Sequence, residues 1–441
     1  MDQPSPPRIF TPRSAEAPPE QVVGVQLWLR RNLFYSPGST VFTLLALTFT
    51  AMIVWSFVDW AFVKAVWVAD SRKECQLTSP GGACWAAIIE WRKGIVYGRY
   101  PVEHLWRVNL TFGCLALWLW PMAVPRLAAL RPYVLVTTVL LFPFFALPFL
   151  SGGARGLVGQ AGFALSLMGL VALWSAALAA LWPRSGAGRR AAWVLGEGRR
   201  IALPLGFVLA FAISWQLALP HVSTNLWGGL FLTLVIAGVG ISAALPGGVL
   251  LELARRSQMP LIRYTAIVFI EVFRSVPLIT VLFMAVTLMP LFLPVSWQLD
   301  KLMQAIIGIC LFSSAYMAEN VRAGLQALPR GQYEAAEALG LGYWQTMGFI
   351  ILPQGLRLMI PNIVGAFIDM LRDTTLVSII GLYDFLLMLR AIGHDHTWLG
   401  LYVEPLVFGG LVFFVLCYAM SRASARLERK LSRRWDKGGG A

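Results

Sequence analysis

Residues 333–353, from Tyr333 to Pro353, read Y-E-A-A-E-A-L-G-L-G-Y-W-Q-T-M-G-F-I-I-L-P and follow Leu328-Pro329-Arg330-Gly331-Gln332. From Gln332 to Leu341 most residues are strong helix formers. Glu334 and Glu337 lie three apart, and Ala335, Ala336, Ala338 and Leu339 offer a small, flat face. Gly340 and Gly342 break that helix. A second short helix is predicted from Tyr343 to Phe349, before Pro353 opens an apolar run. Two readings fit helix, glycine break, helix. One is a knob entering a groove on a soluble partner, with alanines allowing close approach and glutamates pairing with basic groups at the rim. The other is an amphipathic linker lying on a membrane surface.

The surrounding chain decides where this stretch sits. Of its 441 residues 58% are hydrophobic and 13% charged, and the mean hydropathy is +0.67. That is the composition of an all-α polytopic membrane protein rather than a soluble domain. In such a chain a net charge of +14 gathers in short cytoplasmic loops, so nucleic acid is not the expected partner. Residues 1–26 are Pro-rich and polar, without the order of a cleavable signal. They belong to a cytoplasmic lead-in over 1–39.

About twenty apolar residues cross a bilayer, and ten stretches qualify: 40–62, 102–124, 133–150, 157–182, 201–219, 226–251, 264–290, 303–326, 349–371 continuing to 387, and 401–420. Arg30 and Arg31 precede the first, which keeps the N-terminus inside. Alternation then puts Arg126 and Arg131, the group Arg184, Arg189, Arg190, Arg199 and Arg200, and Arg255, Arg256 and Arg263 on the cytoplasmic side. The basic tail over 423–441 falls there too, so both termini are expected to be cytoplasmic. The loops at His221, at 295–297 and at His394-Asp395-His396 fall outside and are poor in positive charge. One loop disagrees: residues 63–101 carry Lys64, Arg72, Lys73, Arg92, Lys93 and Arg99 although parity makes them periplasmic. The loop over 327–350, with its EAA stretch, is cytoplasmic.

Cys114, Cys310 and Cys417 lie in apolar runs, while Cys75 and Cys84 flank Ser79-Pro80-Gly81-Gly82 in the periplasmic loop, where a disulfide between them is a candidate. Five inert thiols are the alternative. Intramembrane charge begins only after residue 225. Glu271/Arg274, Glu319/Arg322 and Asp369/Arg372, with Asp373 next, each set an acid three residues before an arginine on one helix face. Such groups are costly in hydrocarbon and mark a substrate path, a gate or structural ion pairs. On an unbroken helix from Phe349, Asp369 would sit ~30 Å along, in the outer half. Arg372 with Asp369 or Asp373 supplies the cation and anion that a zwitterionic amino acid needs. Pro246-Gly247-Gly248 and Ser275-Val276-Pro277 are candidate helix breaks or packing kinks. His394, Asp395 and His396 read as a solvated loop rather than a metal site.

The spacing Glu334-Ala335-Ala336, Gly340, Ile350, Leu352-Pro353 resembles in full the E-A-A loop of membrane subunits of bacterial ABC importers. F-L-T-L from Phe231, E-V-F-R-S-V-P from Glu271, A-Y-M-A-E-N-V-R-A-G from Ala315 and L-R-D-T-T-L-V-S-I-I-G-L from Leu371 resemble more narrowly the permeases for polar amino acids. The extra N-terminal spans over 40–220 resemble the general L-amino-acid and glutamate/glutamine/aspartate/asparagine systems. Ser275-Val276-Pro277 departs from the commoner Gly-Thr-Pro. The resemblance implies that residues 226–422 form a type I importer permease core of five helices. It also implies that the E-A-A loop couples to a separate ATPase dimer using ATP and Mg. A second, related permease and a periplasmic amino-acid-binding protein complete the expected complex in the inner membrane and its lipids. No G-x-x-x-x-G-K-[ST] loop occurs in the sequence, so ATP is not expected to bind this chain and no cofactor is expected on it; with no zinc or redox cysteine spacing, no metal is expected either. An ion-coupled carrier using Glu271, Glu319 and Asp369, or a non-transporting scaffold, are the alternatives.

Overall fold

The computed structural model describes residues 28–29, 32–152, 156–181, 219–294 and 299–436, with isolated positions between 187 and 209. The predicted lead-in, most of the Arg184 group, the fifth span, the outer loop at 295–297 and the end of the tail lie wholly or largely outside these residues. The described residues are nearly all helical, with isolated bridges but no strand. It divides into two compact units, Met1–Trp85 and Ala86–Ala441.

In the first unit, α1 (Pro37–Val58) starts at a capping box of Ser36 and Ser39 and buries no residue. It is apolar all round, as a helix facing lipid is. A π-helical turn over Asp59–Val63 ends it. The following loop folds on itself: Trp85 Nε1 donates to the Ala61 carbonyl at 2.7 Å, and a disulfide joins Cys75 to Cys84, with Cα atoms 5.9 Å apart.

The second unit contains α2 (Arg92–Tyr97), α3 (Leu105–Ala123), α4 (Gly156–Leu181), α5 (Gly229–Arg255), α6 (Pro260–Ser275), α7 (Leu278–Thr287) and α8 (Lys301–Gln326). After these come α9 (Arg330–Ala338), α10 (Leu352–Leu358), α11 (Ile360–Asp373), α12 (Phe385–Ile392) and α13 (Val403–Asp436). Its centre is the pair α5 and α8. They approach so closely that a Cβ on Gly247 would lie 2.2 Å from Ser314 Oγ, and one on Gly248 2.7 Å from Met317 Cβ. The Pro246-Gly247-Gly248 stretch therefore does not break α5, which runs on through Pro246. Its glycines let two backbones meet, the usual way helices pack where lipid supplies no hydrophobic drive.

Among the described residues five helices are long and apolar enough to cross a membrane, six if one bent pair is a single span. Three of the remaining predicted spans are cut or bent, and the fifth lies largely outside the described residues. The third predicted span is cut into Arg131–Leu140, Phe142–Leu147 and Pro148–Gly152, with prolines at 143 and 148 removing donors. The seventh bends by 109° between α6 and α7, because Val276 and Pro277 are both extended. The ninth, expected to run unbroken from 349 to 371, is interrupted at Met359, two residues before Pro361. The ~30 Å estimate for Asp369 along one continuous helix therefore does not hold. Asp369 lies instead near the end of the second piece, α11.

On the side of α5 where its N-terminus begins, α2 is set against the core through glycines. Gly98 and Gly229 have φ +68° and +63°, and a Cβ on Gly98 would come 2.3 Å from the Gly228 Cα. The Arg99 guanidinium lies 4.0 Å above the Tyr383 ring. Trp398 Nε1 donates to the Glu90 carboxylate at 2.9 Å.

Candidate functional site

The EAA stretch forms α9, preceded by Pro329. Its end is fixed by Gly340 at φ +71°, with the Gly340 N–H donating to the Glu337 carbonyl at 2.8 Å and the Leu341 N–H to the Ala336 carbonyl at 3.2 Å. These are the two bonds of a left-handed glycine cap, which satisfy carbonyls a helix end otherwise leaves open. The chain turns back through Tyr343–Gln345 and a π-helical stretch, Thr346–Ile351. Met347 and Ile351 are buried against Met317, Val321 and Leu325, with Ile350 and Leu352 packed beside them. Pro353 sits in the first turn of α10.

Ala336 is the one buried residue of α9; Glu334, Ala335 and Glu337 face out. Beside them Leu339, Trp344 and Phe349 are 75%, 73% and 79% exposed. The root of the loop is thus set in the core while its tip presents carboxylates and large apolar groups.

Behind α9 lies an open cleft of about 640 Å³, lined by Arg255, Arg256, Arg263, Tyr333, Glu337 and Tyr343 among others. Burial pushes the Tyr343 phenol above its ordinary value against the opposing Arg256 charge, so it stays protonated. Glu252, 1% exposed, accepts from Arg255 and, at 2.7 Å, from Arg256 Nε. Arg255 Nη1 continues to Glu319 Oε1 on α8 at 2.5 Å. Removing one member would strand buried charge, at a cost of about 3–5 kcal/mol.

The predicted acid–arginine pairs fare differently. Glu319 keeps Arg322 at 3.5 Å and also draws Arg274 to 3.6 Å. Glu271, three residues from Arg274, is exposed instead and pairs with no basic group among the described residues; Arg274 turns to a carboxylate on the facing helix. Asp369 and Arg372 are 3.6 Å apart. Asp369 and Asp373 line a cavity of about 250 Å³ with Ser313, Tyr316, Phe367 and Thr374, and Arg372 stays off its wall. Glu252, Arg256 and Tyr333 were not predicted site residues. The i, i+3 and i, i+4 spacing of Glu252 to Arg255 and Arg256 is a sequence signal for the first two; Tyr333 has none, because its partner Arg256 is 77 residues away.

Residues 240–433 match the family described as binding-protein-dependent transport system inner membrane component. The inner membrane amino-acid ABC transporter permease protein YhdY of Escherichia coli K12 is 39% identical over 408 residues, 92% of this chain and 93% of that one. BztC of Rhodobacter capsulatus, a glutamate/glutamine/aspartate/asparagine transport system permease protein, is 40% identical over 439 residues, 96% of this chain and 97% of its own. The chain belongs to the amino-acid ABC transporter permeases. A solved amino acid ABC transporter with histidines is 29% identical to this permease, with TM-score 0.41, over 46% of this chain and 92% of that one. As a permease it is a translocation subunit of the inner membrane, not an enzyme, and ATP is hydrolysed on a partner subunit.

Proposed function

We propose that this permease imports polar L-amino acids such as glutamate, glutamine, aspartate and asparagine, driven by a separate ATPase dimer using Mg and ATP. The observation that carries this is the anchored loop over 327–350 with Glu334, Ala335, Leu339 and Trp344 turned outward. Glu334, Ala335, Ala336, Gly340, Ile350, Leu352 and Pro353 serve as the coupling element, the first two at its surface and Ala336 and Ile350 rooting it. Residues 226–422 act as a type I core within ten spans, some of them broken, and both termini are cytoplasmic. A second, related permease closes over the face of α11, so that Asp369 and Asp373, open in one subunit, border the path. There their carboxylates receive the ammonium of an amino acid, with Arg372 or the arginines around Glu319 near its carboxylate. A periplasmic binding protein delivers the substrate.

Reconstitution tests this. With ATPase, second permease and binding protein in proteoliposomes, glutamate uptake is expected only with ATP, and Asp369→Asn is expected to lower it while ATPase assembly is kept. Uptake by the isolated chain down an ion gradient would refute the importer reading. Unchanged uptake and selectivity in Asp369→Asn would remove that residue from the path.

A further inference from the structure

Tyr333 is the one residue of α9 that makes polar contacts to two spanning helices at once. Its hydroxyl accepts from Arg256 Nη1 at 3.3 Å and donates to the Leu325 carbonyl, also at 3.3 Å. Arg256 is the C-terminal cap residue of α5, and Leu325 lies in the last turn of α8. Arg256 is in turn held by Glu252, whose other oxygen takes Arg255, and Arg255 reaches Glu319. The remaining attachments of α9 are of another kind: the buried Ala336, an apolar contact without direction, and Gln332, which accepts from Gln354 at 3.2 Å on an exposed rim.

We propose that Tyr333, Arg256 and Glu252 are positioning residues that carry displacement of α9 into α5 and α8, linking nucleotide-driven motion of the docking loop to the transport path. The inference rests on the reading of 327–350 as the ATPase docking loop. A carboxylate buried between two guanidiniums cannot release either without leaving charge unpaired in a poorly hydrated place. The Glu252 joint is therefore stiff, and α5 and α8, bridged by Arg255 and Glu319, move together at this end. The Tyr333 hydroxyl is the compliant member: it is neutral, and its 3.3 Å bond from Arg256 is longer than the ion pairs of Glu252 behind it. When α9 shifts, either the two spanning helices follow or this bond opens and the motion is lost.

The complex of permeases, ATPase and binding protein in proteoliposomes, with radiolabelled glutamate, separates these outcomes. Tyr333→Phe removes the hydroxyl and keeps the ring. ATPase content and basal hydrolysis are expected to match the unaltered complex, while glutamate transported per ATP falls roughly 2- to 30-fold, the span for residues that modulate coupling. In an Arg256→Gln background, where only the bond to the Leu325 carbonyl remains, Tyr333→Phe is expected to lower the ratio by less than it does alone. An unchanged ratio, an additive loss in the double variant, or loss of the ATPase subunit from the Tyr333→Phe complex would each overturn the proposal. Glu334→Lys on the outer face tests the docking reading separately. If the ATPase stays bound and fully stimulated there, that reading fails whatever Tyr333 does.

Discussion

Gly340 shows how one residue sets a surface. Its left-handed φ of +71° ends α9, and no atom lies within 4 Å of where a Cβ would be. Substitution there is a matter of backbone conformation, not of space. Gly340→Ala is expected to weaken the cap by about 1–2 kcal/mol and so blur the angle between α9 and the Trp344 side. The check is co-purification of the ATPase subunit, which should fall several-fold in Gly340→Ala and recover partly in Gly340→Asn, because Asn tolerates this conformation better. Glycine at this place is legible from the chain alone, as a break after the six helix formers Glu334 to Leu339. The Arg256 partner of Tyr333 is not, because Arg256 lies far away in sequence and only packing brings the two within reach.

At the scale of elements, hydropathy found the apolar runs and missed how they are cut. A sliding apolar window does not register that Val276 and Pro277 both take extended conformations, although the Ser275-Val276-Pro277 break itself was visible. At Pro246-Gly247-Gly248 the sequence leaves a break and a packing kink both open, and α5 runs on through it. A proline and two glycines look like a break, yet a spanning helix tolerates a proline where its neighbours re-satisfy the freed carbonyl, and the glycines answer to α8 across the interface. Gly248→Leu tests this reading of α5 and α8. With Met317 Cβ and the Ala318 backbone nitrogen 2.7 and 2.8 Å from an added Cβ, the helices must part, costing about 1–3 kcal/mol or more. A lowered melting temperature in detergent is the expected result. Gly238→Leu, on the same helix with nothing within 4 Å, should leave it nearly unchanged. The acid–arginine spacing was legible as charge within spans, but which acid meets which arginine depended on the facing helix, as Arg274 shows.

For the whole molecule the orientation proposed from loop charges is open to direct measurement. His396, with its side chain 97% exposed, and Trp344, 73% exposed, lie at loops assigned to opposite sides. His396→Cys should react with a membrane-impermeant maleimide in spheroplasts and Trp344→Cys only in inverted vesicles, the native cysteines setting the background. The opposite pattern would invert the orientation and put the docking loop out of reach of a cytoplasmic ATPase. The charged loop over 63–101, which defied the counting rule, has a partial physical account. From residue 86 onward it is folded structure, with Arg99 on Tyr383 and Glu90 on Trp398, rather than a free loop whose charge reports translocation.

The glycine seam at Gly98, Gly228 and Gly229 bears on how such a chain could be recombined. A side chain on any of the three would strike backbone of the partner segment, so the N-terminal half cannot be moved onto another permease by joining the genes at residue 225. A working chimaera would have to inherit residues 94–98, residues 227–229 and Tyr383 as one set. Those three distant pieces of sequence constitute a single unit of inheritance.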